Sequence, residues 1–584
     1  MEYPTIPSRN VTRDMTDVFR GLDRNLRSDE GSWRDMTNMT MDLYPVFASR
    51  KKRAVFAEPV NAQGIINKDA LCWVDGSQFV INGNPVEMGL SDAEEDCPKK
   101  LISMGAYVVI LPDKKWINTL DLTDFGNIEA KFVSTEDVTF SLSTIDGAEY
   151  GDYVISSTAP EEPVNLQYWL DTSGEKHALK QYSEASGIWV TVPATYIRIH
   201  SIGIGKAFEQ YDGVDISGVI SDELQDLNAS MVVWSKGDDY LVVSGILDRA
   251  ISQEAAAGAV TVKRQMPKLD CVTEAGNRLW GCRYGPAVNG EIVNEIYCSK
   301  LGDFKNWNCF MGLSTDSWVG GVGTDGQWTG AATLSGYPVF FKENHLHKVY
   351  ISPEGAHQIV DTACRGVQKG CENSLAIVNE VLYYLSRSGV CAYDGSLPQE
   401  VSQSLGQTAY RNGVAGAWWN KYVISMQEPA GSWNLYVYDV SKGLWSREDN
   451  LHAAALCECD GDLFAIDADS GNILSLGGNG SQEESVEWSA ETGDLLLSMP
   501  DQKYVSWLAV RMRLEAGHSA VMYAKYDEDP YWIRLFPIKG AGLKSFSVPI
   551  RPRRCDRMRL KIEGSGEVRI YSITKTIEKG SEIP

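Results

Sequence analysis

Two histidines and two cysteines have a spacing that could begin a metal site. His345-Leu346-His347 would place both imidazoles on one face of a strand, and Cys457-Glu458-Cys459 would do the same for two thiols. A structural zinc site needs four ligands, and neither pair has a second pair at suitable spacing. The pattern therefore favours hydrogen-bonded histidines and free thiols. We predict no metal site and no cofactor.

Catalytic motifs of fixed spacing are missing from the sequence. It has no Gly-x-Ser-x-Gly nucleophile elbow, no phosphate loop ending in Gly-Lys-Ser/Thr and no His-Glu-x-x-His. Gly323-Thr324-Asp325-Gly326-Gln327-Trp328 comes nearest to the Asp-box of sialidase-like propellers, but it does not recur. Paired carboxylates for glycoside hydrolysis can come from separate blades and leave no spacing signal. We predict that the chain has no catalytic residues and is not an enzyme. A propeller glycoside hydrolase remains open as a third interpretation, after the two that are described at the end of this subsection.

Two basic runs interrupt an acidic chain. They are Arg50-Lys51-Lys52-Arg53 and Arg551-Pro552-Arg553-Arg554, and the net charge is −24, from 54 Lys plus Arg against 78 Asp plus Glu. Specific nucleic-acid binders usually carry net positive charge, because neutralising phosphates supplies much of their affinity. We therefore expect these side chains to be solvated or paired with acidic neighbours, also across a subunit boundary. The candidates for an inter-subunit or partner contact are Trp33, Tyr44, Pro45, Arg50, Lys51, Lys52 and Arg53.

Three aromatic residues could bind a sugar. Tyr168, Trp169 and Trp189 lie in one β-rich stretch, and exposed aromatic rings stack on saccharides. The same residues could equally form the core of a small domain, and we favour that interpretation.

Length and composition indicate a folded chain of several units. The sequence has 584 residues, 43% hydrophobic and 23% charged, which suits roughly four domains or a long repeat-built fold. It has no apolar run of 18 residues and no signal-peptide pattern at its start, so we expect neither a membrane span nor secretion. Its 12 cysteines are too sparse for a disulfide scaffold and are expected to stay reduced in a cytoplasm.

A repeat of about 41 residues organises the second half of the chain. Similar strand openings contain Val339, Val381, Tyr422 and Leu463, which are 42, 41 and 41 residues apart. That period is typical of a four-stranded propeller blade. Comparable openings begin at Leu71, Ala106 and Asn277. We predict an all-β protein, a β-propeller of six or seven blades with an inserted β-rich domain and a C-terminal β-sandwich-like module.

The predicted boundaries follow from where the blade period stops. We assign residues 1–55 to an N-terminal arm, 56–122 to the first blades, 123–265 to the insertion, 266–484 to the remaining blades and 485–584 to the C-terminal module. The arm lacks the blade pattern, and we expect it to lie on a neighbouring subunit.

Several segments resemble virion proteins of tailed bacteriophages, of the DNA-stabilisation and tail-nozzle type. In the N-terminal region these are Phe19–Asp23, Trp33–Met39 and Leu43–Arg50, and further on they are Asn277–Trp280 with Asn294–Ser299, Gly302–Trp307, and Gly564–Ile570 with Glu578–Ser581. The sequence is also similar to uncharacterised proteins of phages and prophages of gut Firmicutes.

The resemblance implies a structural virion protein, made in the cytoplasm of a bacterial host and located in the virion tail near the portal. As a ring-forming tail nozzle or hub component it would close or extend the portal-proximal channel, retain packaged DNA and conduct it during ejection. The implied partners are identical subunits in a ring of six, portal or adaptor and other tail proteins, and double-stranded DNA, with no small-molecule substrate. An acidic lumen would let DNA slide because it repels phosphates.

The alternative reading is a receptor- or glycan-binding tail adhesin that uses the insertion. Copy number separates the two readings, because nozzle rings resemble six-fold assemblies and fibres are usually trimers.

Overall fold

The computed structural model describes residues 11–92, 99–287, 290–499 and 502–579. These residues form 53 strands and five short 3-10 helices, so the predicted all-β class is confirmed. The helices are η1 (Ile204–Ala207), η2 (Asp222–Leu227), η3 (Ala255–Ala257), η4 (Glu372–Ser374) and η5 (Gln403–Leu405). None of the described helices is long and apolar enough to cross a membrane. Residues 1–10 of the predicted arm and 580–584 of the predicted C-terminal module lie outside the described residues.

Seven antiparallel sheets form a β-propeller, which confirms the predicted fold. Blades 1 and 2 are β6 (Ala62–Asn67), β7 (Leu71–Asp75), β8 (Gln78–Ile81), β9 (Asn84–Glu87), then β10 (Lys100–Met104), β11 (Tyr107–Leu111), β12 (Lys115–Asn118), β13 (Asp121–Asn127). Blades 3 and 4 are β27 (Cys271–Glu274), β28 (Leu279–Pro286), β29 (Ile292–Cys298), β30 (Trp318–Gly321), then β31 (Gly330–Leu334), β32 (Tyr337–Lys342), β33 (His345–Tyr350), β34 (Gln358–Ala363). Blades 5 and 6 are β35 (Ala376–Val378), β36 (Val381–Ser386), β37 (Gly389–Tyr393), β38 (Gln399–Glu400), then β39 (Arg411–Trp418), β40 (Lys421–Gln427), β41 (Trp433–Asp439), β42 (Leu444–Arg447).

The last blade closes the ring with a strand from the N-terminal region. Blade 7 has the order β43 (Ala453–Cys459), β44 (Asp462–Asp467), β45 (Ile473–Ser475), β5 (Ala54–Ala57), β46 (Ser481–Gln482). Its first strand, β43, contacts β6 of blade 1, as β6 contacts β10 and β10 contacts β27. The seven first strands therefore surround one central channel.

The repeat seen in the sequence marks the second strand of each blade, not the first. Val339, Val381, Tyr422 and Leu463 lie in β32, β36, β40 and β44. Second strands are covered on both faces, so their apolar runs are continuous, as in the five buried residues of β40. First strands line the channel, carry more polar and small residues, and give a weaker signal.

Three sheets lie between blades 2 and 3, where the sequence predicts an insertion. The first has the order β14 (Ala130–Val133), β26 (Thr261–Arg264), β21 (Gly213–Ser217), β22 (Ser230–Val232). The second has the order β23 (Ser235–Gly237), β24 (Tyr240–Ser244), β20 (Tyr196–His200), β15 (Val138–Ser143), β25 (Ile251–Gln253). The third has the order β16 (Tyr153–Ser156), β17 (Tyr168–Asp171), β18 (Ala178–Ser183), β19 (Ile188–Thr191).

Two further sheets combine strands from both ends of the chain. One has the order β3 (Met39–Thr40), β4 (Phe47–Ser49), β53 (Val568–Lys579), β48 (Lys503–Leu514), β51 (Gly542–Val548), with β1 (Val11–Thr16) also on β53. The other has the order β2 (Trp33–Thr37), β47 (Glu487–Thr492), β52 (Met558–Ser565), β49 (Ser519–Tyr526), β50 (Ile533–Lys539). The segment that we expected to be a free arm therefore supplies four strands to the C-terminal module. This corrects the expectation that it lies on a neighbouring subunit, because its backbone is paired within its own chain.

One hydrophobic core joins the N-terminal segment, the C-terminal sheets and blades 4 to 6. Trp33 stacks on Phe47 with 4.4 Å between ring centroids and on Phe19 at 5.7 Å. The same cluster contains Trp445 of blade 6 and Trp488 of the C-terminal module. The C-terminal module is thus packed on the propeller through the N-terminal segment.

Candidate functional site

The first basic run, residues 50–53, lies just before β5, where this segment meets the loop between blades 6 and 7. Arg50 and Arg53 are buried, with side chains 7% and 8% exposed. Arg50 pairs with Glu483 at 2.5 Å, and Arg53 pairs with Glu448 at 2.9 Å. The predicted pairing with acidic neighbours occurs, but within one subunit, so these two arginines cannot form the surface contact that we expected of them.

Asp449 completes this ion-pair cluster. Its Oδ2 lies 2.5 Å from Arg53 Nε and 3.6 Å from Arg50 Nη2. Burial raises the pKa of Glu448, and the Arg53 guanidinium offsets part of that rise. The cluster fastens the segment before β5 to the loop between β42 and β43.

The other predicted contact residues divide between core and surface. Trp33 is buried in the aromatic stack, so it is not a contact residue. Lys52 donates from Nζ to the Glu484 carbonyl at 2.7 Å. Tyr44, Pro45 and Lys51 are exposed. The accessible part of the predicted contact surface is therefore the 43–45 turn and the two lysines.

The three aromatic residues of the insertion do not share one face. Tyr168 packs on Tyr150 on one side of the third insertion sheet, and the adjacent Trp169 points to the other side, as strand alternation requires. Trp169 is buried under Trp189 and under the Lys180 ammonium, at ring distances of 5.3 and 4.9 Å. Tyr168 and Trp189 are both half-buried, so each keeps part of its ring within reach of a sugar.

Gly302–Trp307, one of the segments that carry the phage resemblance, docks the insertion on blade 3. Asn306 accepts from the Gly213 backbone at 2.9 Å and donates to Asp212 at 2.8 Å, and Asp212 pairs with Arg264. Arg278 of the neighbouring motif donates to the backbone carbonyls of Ser299, Ser314 and Asp316 at 2.6 to 2.8 Å. These motif residues hold elements together.

Lys100 lies at the start of β10, a channel-lining strand, and the sequence analysis did not single it out. Desolvation of the ammonium by the surrounding chain lowers its pKa, and Cys271 of β27 and Glu372 of η4 offset part of that effect. Residues brought together by ring closure come from distant positions and leave no local spacing signal.

His345 and His347, the pair with metal-ligand spacing, lie on strand β33 of blade 4. His347 is fully buried, its Nε2 lies 2.8 Å from Thr324 Oγ1, and burial lowers its pKa to about 4, with the Lys342 charge adding to the shift. Within the described residues, no group of three or more His, Cys, Asp or Glu side chains could hold a metal ion.

A cleft of about 580 Å³ borders the ion-pair cluster, and we call it the Arg53 cleft. It is open to solvent and is bordered by β5, β45, β46 and the loop before β43. Its polar lining includes Arg50, Arg53, Asp449, Asp467, Asp469 and Glu483.

No protein-family model matches the chain, and no curated protein matches it. Solved structures similar to it include BamB from Moraxella catarrhalis, at 9% identity over 76% of this chain and 97% of that chain, with a TM-score of 0.29. PorZ of Porphyromonas gingivalis is similar at 10% identity over 88% of this chain and 82% of that chain, with a TM-score of 0.25. An exo-beta-1,3-galactanase from Phanerochaete chrysosporium matches at 9% identity over 68% of this chain and 98% of that chain, with a TM-score of 0.18.

These comparisons correct one prediction from the sequence. Glycoside hydrolases are among the similar structures, so the prediction that the chain is not an enzyme is not retained. The order of the strands in the sheets shows by itself that the chain is a β-propeller protein with an inserted β domain and a two-sheet C-terminal module.

Proposed function

We propose that the protein is a structural component of a tailed-phage virion, a subunit of the portal-proximal tail nozzle or hub. It assembles with identical subunits and with portal or adaptor proteins around the DNA channel. Two observations support the proposal. One is the sequence resemblance, and the other is that the N-terminal segment joins the propeller and the C-terminal module.

The observation that carries the proposal is the course of the N-terminal segment. Within residues 11–57, β1–β4 complete the C-terminal sheets and β5 completes blade 7. The same segment contributes Phe19, Trp33 and Phe47 to the core shared with blades 4 to 6. Propeller and C-terminal module therefore transmit force as one body, which suits a component that stays attached while DNA leaves under pressure.

The residues that carry the resemblance support this reading because they build junctions. Asn306 fastens the insertion to blade 3, and Trp33 fastens the N-terminal segment to the C-terminal module. A shared arrangement of such junction residues points to a shared arrangement of domains.

The charge suits contact with a DNA channel. A subunit of net charge −24, repeated in a ring, creates a negative potential that repels phosphates and keeps DNA from adhering. Added salt weakens the attraction between an ordinary DNA-binding protein and DNA. Here we expect added salt to weaken the repulsion between the protein and DNA instead.

The exposed turn after β3 is the subunit contact that we assign. Leu43 and Tyr44 are both more than two fifths exposed, and they lie beside the paired strands β3 and β4. Exposed apolar side chains on a rigid turn are suited to packing against a neighbouring protein.

Mixing the purified full-length protein with the portal and adaptor complex of its phage tests the proposal. We expect end-on rings in electron micrographs, and loss of those rings in a Tyr44→Glu variant. Tyr531→Glu is the matched control, because Tyr531 is 78% exposed elsewhere on the C-terminal module. Failure of the wild-type protein to join the complex would contradict the proposal, and a peripheral trimer on particles would support the adhesin reading instead.

A further inference from the structure

The outer face of one C-terminal sheet carries two arginines that the chain does not use. On β48 the side chains of Val510, Met512 and Leu514 are buried in the core. Side chains alternate between the faces of a strand, so Arg511 and Arg513 lie on the opposite, outer face. Both are exposed, and neither has a hydrogen-bond or ion-pair partner among the described residues.

Apolar side chains flank these arginines on the same face. Leu543 of β51 lies opposite Arg513, and it is 46% exposed. Trp507 of β48 packs under the guanidinium of Arg13 of β1, at 4.6 Å from the ring centroid. Met15, two residues further along β1, is 56% exposed. We call this surface the basic face, and it consists of Arg13, Met15, Trp507, Arg511, Arg513 and Leu543.

Charge is distributed unevenly between the modules of the chain. Residues 485–584 contain 16 Lys and Arg against 13 Asp and Glu, whereas residues 123–265, the insertion, contain 9 against 22. The insertion therefore holds more than half of the net charge of −24, and the C-terminal module is slightly basic. Opposite charges on two modules favour contact between unlike modules of two copies.

The third insertion sheet has free carboxylates at one end. Glu161 and Glu162 lie in the loop between β16 and β17, and Glu184 lies in the turn between β18 and β19. The loop and the turn adjoin, because Asn165 Oδ1 accepts from the Glu184 backbone amide at 3.1 Å. All three carboxylates are exposed and have no ion-pair or hydrogen-bond partner among the described residues.

Exposed apolar side chains lie beside these carboxylates. Val164 and Leu166 of the loop are 70% and 62% exposed, and Ile188 at the start of β19 is 56% exposed. The Leu166 amide donates to the Tyr182 carbonyl at 2.9 Å, which holds the loop against β18. Clustered apolar groups with a polar border are typical of a protein contact surface. We call this surface the acidic tip, and it consists of Glu161, Glu162, Val164, Leu166, Glu184 and Ile188.

The basic face and the acidic tip match in charge and in apolar surface. Duplex DNA could pair with Arg511 and Arg513 through its phosphates, but its backbone offers no apolar partner to Met15 and Leu543. The acidic tip offers both carboxylates and apolar side chains. A second copy of this chain is therefore the occupant that the basic face fits best.

We propose that the basic face of one copy binds the acidic tip of the next copy. This inference rests on the proposed function, in which copies assemble into a ring, and it adds a contact between copies to that of the 43–45 turn. The two surfaces lie on different modules, so the contact is heterologous, and such contacts form a ring when the rotation between copies closes.

Sedimentation velocity of the full-length protein tests the contact. At low salt we expect association that rises with protein concentration, and at high salt less association, because salt screens the charges. Arg511→Glu with Arg513→Glu should weaken the association about tenfold or more, and so should Glu161→Lys with Glu162→Lys. The matched control is Arg534→Glu with Lys369→Glu, which makes the same charge change as the arginine pair at exposed positions on β50 and before η4.

Mixing the two charge-reversed variants gives the most specific result. The reversed basic face of one variant then meets the reversed acidic tip of the other, so we expect the mixture to associate although neither variant associates alone. A variant that had merely lost its fold would not be rescued in this way. Circular dichroism checks the fold of each variant directly.

Wild-type protein that stays monomeric at every concentration would overturn the inference, and so would association that is unchanged in both variants. Monomers that bind duplex DNA through Arg511 and Arg513 would also overturn it, because the basic face would then belong to DNA. The proposed function is judged separately, by whether the wild-type protein joins the portal and adaptor complex. Monomers that join this complex would overturn only the present inference, and self-associating protein that fails to join it would contradict only the proposed function.

Discussion

At the residue scale, the buried arginines decide how the N-terminal segment is held. Arg53 compensates Glu448 and Asp449, which are both largely removed from water. Removing one partner of a buried ion pair leaves an uncompensated charge and typically costs about 3 to 5 kcal/mol.

We therefore expect Arg53→Met to lower the free energy of unfolding by about 3 to 5 kcal/mol, and Arg53→Met with Glu448→Gln to recover part of the loss. Denaturant unfolding followed by tryptophan fluorescence measures both. Arg553→Met is the control, since Arg553 and its partner Asp529 are much more exposed, and it should change stability by less than about 1 kcal/mol. If Arg53→Met and Arg553→Met lowered the free energy of unfolding equally, Arg53 would not belong to a buried ion-pair cluster.

His347 makes stability depend on pH. Its folded pKa, about 4, lies below the ordinary value of 6.5, so only the unfolded chain takes up this proton between those pH values. Its contribution is complete above pH 6.5 and falls as the pH approaches 4, by about 3 kcal/mol in all. As the pH falls from 6.5 to 4.5, the free energy of unfolding of His347→Gln should decrease by about 2 to 3 kcal/mol less than that of the wild type. Parallel pH profiles from denaturant titrations would exclude this assignment.

At the element scale, strand β5 is the part on which ring closure depends. Val55 is opposite Leu474 on one side and Ser481 on the other, so β5 is interior to its sheet. Proline there removes a ladder donor and is poorly tolerated in an interior strand.

We expect Val55→Pro to expose the backbone amides of blades 7 and 1, because β43 and β6 meet at the closure. Hydrogen exchange with mass spectrometry should show lost protection there and retained protection in the C-terminal sheets. Glu58→Pro, just beyond β5, is the control. Unchanged protection in Val55→Pro would show that β5 does not close the ring.

The sequence predicts some elements better than others for physical reasons. Second strands such as β40 are buried on both faces, so their apolar runs and their spacing reveal the propeller. The strand β5 could not be assigned to blade 7, since its partners lie more than 400 residues away and pairing over such a distance has no local pattern. The surroundings of Lys100 and the lining of the Arg53 cleft also combine residues that are far apart in the sequence. They form only when the ring closes, so they have no local pattern either.

At the scale of the whole molecule, residues 11–57 tie the propeller to the C-terminal module. We expect residues 58–584 expressed alone to aggregate or unfold, because both sheets of the C-terminal module and blade 7 lose strands. Co-expression with residues 1–57 as a separate chain should restore soluble protein, as measured by size-exclusion chromatography. A well-folded monomer of 58–584 would show that the segment is dispensable for folding.

Location in the particle is the most direct test of the central claim that the protein is a nozzle or hub subunit of a phage tail. The measurement is cryo-electron microscopy of intact particles, with the propeller, insertion and C-terminal sheets fitted as one body. We predict a ring of six copies on the portal axis, with DNA in an acidic lumen and the 43–45 turn at a protein contact. Absence from the tail axis, or a trimer at the periphery, would contradict the account.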